Sequence, residues 1–262
     1  MPHWVARSAT QTPMRLLIAS IRSVSAYSFL CVWVALAGPP ALLVAYLTGH
    51  VRHLFFLGRL GAKTARQILG IRVVTEGLDH VDARRATVYC INHLSNVDVL
   101  VFEILLTKCP ALRAMHKAEL ARLPILGPVL RTAGFVPVER VNRVRAIAAV
   151  DEAVDGLRAG ASFLLAPEGT RSRTGDLQPF KKGAFVMAIK AQVPVVPIAL
   201  IGTDVAMPRG RWYVTPTTVR VRIGAPIPST GLALDDRARL ADQAHAAVSA
   251  LLARQSGLRP RK

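Results

Sequence analysis

The sequence predicts an α/β domain, a mixed and largely parallel sheet flanked by helices, behind an N-terminal membrane-associated helical hairpin. Three observations carry this. After Gly70, short β-branched runs alternate with stretches of helical period, the pattern of strands joined by crossover helices. Before Gly70 lies an apolar stretch from Ser23 to Val51 with no Lys, Arg, Asp or Glu. The chain of 262 residues is 52% hydrophobic, which excludes a disordered chain and suits one large domain plus an appendage. We therefore divide it into residues 1–70, the hairpin, and 71–262, the α/β domain.

The hairpin comes first. A span of about 20 apolar residues crosses a bilayer, but Gly38-Pro39-Pro40 interrupts this one, and proline breaks or kinks a helix. The pieces Val24–Ala37 and Ala41–His50 would be about 21 Å and about 15 Å long, short of a ~30 Å hydrocarbon core. Both flanks are positive, with Arg7, Arg15 and Arg22 before and Arg52, Arg59, Lys63 and Arg66 after, so no single-span direction is favoured. The expectation is a hairpin that enters one leaflet and returns, both ends cytosolic. From Val51 to Ile71, Leu54, Leu57, Leu60 and Ile68 interleave with Arg59, Lys63 and Arg66, as in a basic helix lying among headgroups. Ala35-Leu36-Ala37 resembles a signal-peptidase site, but the leader is long and hydrophobicity resumes after Pro40, so cleavage is rejected.

In the second part, strands are expected at Ile71–Thr75, Thr87–Ile91, Phe135–Val138, Ser162–Ala166, Val193–Ile201 and Val219–Ile223. Val144, Ile147, Val150, Val154 and Leu157 recur at helical spacing and Gly160 supplies a stop; a last helix is expected over about 234–252. The 34 Lys+Arg against 16 Asp+Glu give a formal charge of +18, and residues 1–75 hold no carboxylate at all. Such an excess points to an anionic partner. Nucleic acid is set aside because no recognisable module or aromatic-basic interleaving is present. Cys31, Cys90 and Cys109 make neither a closed disulfide set nor a zinc spacing, which suits a reduced, cytosol-facing protein.

The most informative run is Asn92-His93-Leu94-Ser95-Asn96-Val97-Asp98, between an expected strand and an apolar helical stretch, where α/β proteins place ligands. On one ideal helix His93 and Asp98 would diverge by about 140°. If they touch, His93 lies in the turn and Asp98 folds back beneath it, holding one ring nitrogen while the other takes a hydroxyl proton. Two other readings stand on these residues alone. Asn92, Ser95 and Asp98 can simply cap a helix; or Ser95, His93 and Asp98 form a hydrolytic triad, although no Gly-x-Ser-x-Gly elbow is present. A second run, Pro167-Glu168-Gly169-Thr170-Arg171-Ser172-Arg173, follows another strand and reads either as an anion site or as an ordinary polar turn. Gly134-Phe135-Val136-Pro137-Val138-Glu139-Arg140 ends in an Arg that can clamp phosphate or pair with Glu139. Val193-Pro194-Val195-Val196-Pro197-Ile198 reads as core strand.

In this order the four runs resemble the glycerophospholipid acyltransferase family, most closely its lysophosphatidic acid acyltransferases. His93 and Asp98 match the family's His-x-x-x-x-Asp; Gly134, Phe135 and Arg140 its aromatic strand ending in Arg; Pro167–Ser172 all of Pro-Glu-Gly-Thr-Arg-Ser; and Val193, Pro194 and Pro197 its Val-Pro-x-x-Pro. His116-Lys117-Ala118-Glu119-Leu120 and Phe180-Lys181-Lys182-Gly183 extend the likeness, which covers about residues 70–224. Ala166 departs from the family's frequent Phe before the Pro.

The resemblance implies an acyltransferase that moves a fatty acyl chain from acyl-CoA or acyl carrier protein to lysophosphatidic acid, giving phosphatidic acid. It implies His93 as general base and Asp98 as its orienter, with Lys117, Arg140, Glu168, Gly169, Thr170 and Arg171 at the acceptor's phosphate and glycerol. Glu168, being anionic, is expected to position Arg171 or a glycerol hydroxyl. No cofactor or metal is implied. The partners are membrane lipids, and the place is the cytosolic face of a membrane, the plasma or inner membrane in a bacterium. The alternatives are acylation of glycerol phosphate or another lysolipid, and a non-catalytic lipid-binding protein, against which the intact His93 and Asp98 argue.

Overall fold

The computed structural model describes residues 13–139 and 143–254. In chain order the elements are α1 (Pro13–Thr48), α2 (Arg52–Leu69), β1 (Arg72–Glu76), β2 (Val88–Ile91), α3 (Leu100–Leu105), β3 (Leu112–Lys117), α4 (Leu126–Thr132), β4 (Val136–Val138), α5 (Arg143–Arg158), β5 (Ser162–Leu165), α6 (Gly183–Ala191), β6 (Val195–Ile201), α7 (Thr203–Ala206), β7 (Thr218–Ile223) and α8 (Arg237–Ala253).

One seven-stranded sheet runs in the order β1-β7-β6-β2-β5-β3-β4. The five strands from β6 to β4 are mutually parallel; β7 turns antiparallel to β6, and β1 joins β7 in parallel. The expected mixed, largely parallel sheet is thus present. Alternation along β2 shows why: Tyr89 and Ile91 pack with α1, α2 and α3 on one face, while Val88 and Cys90 pack with α5, α6 and α8 on the other. A strand covered on both faces has no polar positions, so it reads as a continuous apolar run.

Two expectations change. β3, Leu-Arg-Ala-Met-His-Lys, was not expected as a strand, because its residues are not β-branched; pairing with β5 and β4 makes it one. In α5, Val144 and Ile147 are exposed and the buried residues are Ala149, Ala153, Val154 and Leu157. The helix is where the period placed it, but its first turn overhangs the sheet edge.

The larger correction concerns the hairpin. α1 does not break at Gly38-Pro39-Pro40; it continues as 36 helical residues, and the chain reverses after Thr48 to enter α2. The cost of the two prolines is met by packing. Ala19, Ser23, Ala26, Gly38, Ala41 and Ala45 form a stripe of small buried residues along the side that lies on the domain. At Gly38 an added Cβ would come within 2.6 Å of Ile125, just before α4, so the close approach requires glycine. The other side of α1 exposes Leu17, Ile21, Val24, Val32, Leu36, Leu43 and Leu47. α1, about 54 Å long, therefore rests on protein over about 39 Å between Ala19 and Ala45, with the opposite face apolar and bare.

Arg66 also departs from the expected headgroup face. It turns inward from α2, bonding Glu103 of α3 at 2.9 Å and the carbonyl of Ile71 at 3.1 Å. With side chains 16% and 4% exposed, this is a buried ion pair joining the hairpin to the helix behind the His93 turn.

Candidate active site

The parallel strands β2, β5, β3 and β6 end together, and the chemistry collects at that edge, as in other open α/β sheets. At the end of β2, Asn92 is buried. Its amide donates to Leu200 O at 2.9 Å and its oxygen accepts Leu200 N–H at 2.7 Å, so a side chain extends the β2–β6 ladder by one step. His93 follows, at the mouth of the turn. Asp98 sits in a short 3-10 turn, Asn96–Val99, folded back beneath it.

Asp98 Oδ2 lies 2.8 Å from His93 Nδ1 and also accepts the backbone N–H groups of Leu94 (2.8 Å) and Ser95 (2.9 Å). An ionised carboxylate only accepts, so Nδ1 carries the ring proton and Nε2 keeps a lone pair. Oδ1 is buried with no partner among the described residues, so all the stabilisation of this carboxylate comes through Oδ2. Conversion of the ring to imidazolium would strengthen that one set of bonds. Ser95 donates its hydroxyl to Met207 O at 2.7 Å and is fully buried, so the serine-histidine-aspartate alternative is not formed.

The run after β5 completes the turn from the other side. Glu168 is buried; its Oε1 accepts His93 N–H at 2.7 Å and its Oε2 accepts Gln178 N–H at 3.2 Å. Ser172 N–H donates to His93 O at 2.8 Å. Both backbone groups of His93 are thereby held by the Pro167–Arg173 run. Glu168 was expected to position Arg171 or a glycerol hydroxyl; instead its two oxygens are committed to backbone amides. Burial pushes its carboxyl above the usual range, opposed by the N–H groups of His93 and Gln178. Gly169 adopts φ +75°, and a Cβ there would meet Lys181 Nζ at 2.8 Å, so glycine serves both the turn and the approach of the ammonium.

Thr170 is exposed and Arg171 half-buried on the same rim. Lys117 ends β3, exposed on the same edge of the sheet. Arg140 lies outside the described residues; its neighbour Glu139 forms an ion pair with Arg145. A cavity of about 450 Å³ opens at this edge, lined by His93, Asp98, Gly169 and Lys181 together with apolar residues that include Phe102, Met115, Val150 and Leu164. A larger groove of about 970 Å³ runs along α8 and is lined by neither His93 nor Asp98. We assign the chemistry to the smaller one, because convergent polar groups mark a site better than volume. Among the described residues no group of three or more His, Cys, Asp or Glu is arranged to hold a metal.

Sequence reasoning missed two residues here. Lys181 lies in the Phe-Lys-Lys-Gly run, whose place in the same loop as Glu168 was the available signal. His116 also lines the cavity; its Nδ1 donates to Lys117 O at 2.9 Å and its Nε2 is buried with no partner among the described residues. It lies in the His-Lys-Ala-Glu-Leu run noted above, but nothing there assigned its side chain to the site.

Residues 72–201 match the family model described as Acyltransferase. The chain is 30% identical to 1-acyl-sn-glycerol-3-phosphate acyltransferase alpha of Mus musculus over 80% of its own length and 74% of the mouse protein. It is 32% identical to the Limnanthes douglasii 1-acyl-sn-glycerol-3-phosphate acyltransferase over 64% of its length, spanning 59% of that relative. The crystal structure of the 1-acyl-sn-glycerophosphate (LPA) acyltransferase PlsC from Thermotoga maritima superposes with a TM-score of 0.77 at 28% identity, covering 93% of this chain and all of that one. Motifs, fold and extent of match agree: the chain belongs to the 1-acyl-sn-glycerol-3-phosphate acyltransferase family.

Proposed function

We propose that this protein transfers a fatty acyl chain from an acyl thioester, acyl-CoA or acyl carrier protein, to the free hydroxyl of 1-acyl-sn-glycerol-3-phosphate, yielding phosphatidic acid and a free thiol. The observation that carries this is the 2.8 Å bond from His93 Nδ1 to buried Asp98, which leaves Nε2 as the base at a largely apolar cavity. In the reaction Nε2 takes the hydroxyl proton as the oxygen attacks the thioester carbonyl. The carbon–sulfur bond then breaks, and the departing thiolate recovers the proton from the imidazolium. Asp98 sets the tautomer and stabilises the cationic ring. Glu168 holds the backbone of His93 in place. Arg171, Thr170 and Lys117, joined by Lys181 and by Arg140 on the strength of the resemblance, meet the acceptor's phosphate. The apolar wall receives an acyl chain.

Membrane association follows from α1. In this reading the bare apolar face of α1 lies in one leaflet, on the cytosolic side, where the positive charge meets anionic lipid. The test is thiol release from a long-chain acyl-CoA, and from acyl carrier protein, by detergent-purified protein with lysophosphatidic acid or glycerol phosphate. Release that requires lysophosphatidic acid and vanishes in His93→Ala supports the proposal. Release with glycerol phosphate alone reassigns the acceptor, and silence from folded protein with every pair sinks the reaction.

A further inference from the structure

We propose that the loop from Met207 to Tyr213 is a second lipid-contacting element. It seats Trp212 at the headgroup level of an anionic bilayer beside α1 and ties that contact to the active-site turn. This rests on the membrane reading of α1 given above and adds a surface to it.

The loop reads Met-Pro-Arg-Gly-Arg-Trp-Tyr, and Trp212 is 54% exposed, the only exposed Trp among the described residues. Arg211 lies over the Tyr213 ring at 5.4 Å, and the Trp212 and Tyr213 rings meet edge-on at 5.8 Å. Such a cluster, amphipathic rings next to guanidinium groups, suits neither bulk water nor hydrocarbon, and it is favoured at the boundary between them.

Its position is fixed by α1. Tyr27 donates its hydroxyl to Trp212 O at 2.7 Å, and Val214 N–H donates to Ser23 Oγ at 2.8 Å, two bonds one helical turn apart. At these turns α1 exposes Ile21 (56%) and Val24 (53%). The loop therefore sits against α1 at the Ser23–Tyr27 turn, beside exposed Val24, with Arg209 and Arg211 just before the indole in sequence. That place beside the helix read as lipid-facing, with charge complementary to an anionic surface, selects lipid over a protein partner.

The other end reaches the site. Met207 O accepts the Ser95 hydroxyl at 2.7 Å, inside the His93–Asp98 turn, and Arg209 donates to Arg171 O at 3.1 Å. One short loop thus links the lipid-facing helix to both runs that build the site.

The test is fluorescence of a Trp4→Phe, Trp33→Phe protein, in which Trp212 is the only tryptophan, with phosphatidylcholine/phosphatidylglycerol vesicles brominated near the headgroup, alongside vesicle flotation. Should that protein not fold, the wild type is compared with Trp212→Phe, the difference being the Trp212 signal. The expected result is flotation with a blue shift and quenching of Trp212, and about fivefold weaker vesicle binding for each of Arg209→Ala and Arg211→Ala at low salt. Flotation with Trp212 unquenched overturns the loop proposal and leaves the membrane reading of α1 standing. Absence of flotation overturns both. Quenching unaffected by phosphatidylglycerol or by the Arg substitutions overturns the anionic specificity.

Discussion

The turn after β2 and the helix α1 both belong to the same domain side of the sheet, and they are held by opposite means. In the turn, two buried carboxylates are committed to identified donors: Asp98 to a ring N–H and two amides, Glu168 to two amides. In α1, the contact is chiefly a row of Ala, Ser and Gly, with the Val214 N–H to Ser23 bond buried in it and bonds from Arg22, Tyr27 and Trp33 along its edges. The first arrangement is directional and tolerates no change of donor or acceptor. The second is steric and tolerates no added volume. Chemistry should therefore fail in the turn with the fold intact, and stability should fail along α1 with the chemistry intact.

The strongest way to break this contrast is His93→Ala. Turnover in the thiol-release assay should fall by about 10³-fold or more, with the melting temperature unchanged, because a base is lost and little core. A large loss of stability would place His93 among the structural residues. Next is Glu168→Gln, which keeps shape but offers an N–H where two amides need acceptors. We expect about 10²-fold lower kcat with little change in acceptor KM, the split of a positioning residue. Retained kcat would mean that the His93 backbone holds itself.

Arg171→Ala should act differently, raising the KM for lysophosphatidic acid about tenfold, the order of one charge-assisted contact. If KM and kcat both stay put, the phosphate lies elsewhere. Along α1, Gly38→Val should cost about 1–3 kcal/mol by overpacking on Ile125. That lowers the melting temperature by several degrees while the folded fraction keeps its kcat. A shift smaller than about 1 °C would show that α4 yields freely.

The smallest effect concerns pH. Burial raises the Glu168 carboxyl pKa, so the native state holds this proton more tightly than the unfolded chain. The stability of the wild type relative to Glu168→Gln should rise as pH falls from neutral towards about 4.3, and be lost as pH rises through the folded value. Melting temperatures of the two proteins across that range check the sign. The opposite trend would show that the two amide bonds outweigh burial.

Much of the site was legible because its contacts are short in sequence or lie at strand ends. His93 and Asp98 are close enough that a turn can bring them together or leave Asp98 to cap a helix; the structure brings them together, and α3 begins with no side-chain cap. The runs at Thr87–Ile91, Ser162–Ala166 and Val193–Ile201 read as strands because burial on both faces leaves no polar position. Less legible was anything set by an approach from elsewhere. The partners of Glu168 lie in another turn and across its own loop. His116 belongs to the cavity only because β3 pairs with β5. Arg66 reads as a surface cation until Glu103 is placed beside it.

The sequence by itself determined the α/β class, the order of most elements, the placing of His93 and Asp98 in one turn after a strand, and an apolar, positively flanked N-terminal stretch. Each follows from local periodicity, spacing or composition. Only the tertiary structure decided that α1 runs unbroken through Pro39 and Pro40, that Glu168 serves His93 rather than Arg171, and that the Trp212 loop joins α1 to the catalytic turn. The physical reason is common to all three. A proline's penalty, a carboxylate's choice of donor and a loop's resting place are each small energies locally, and packing between residues distant in the chain outweighs them.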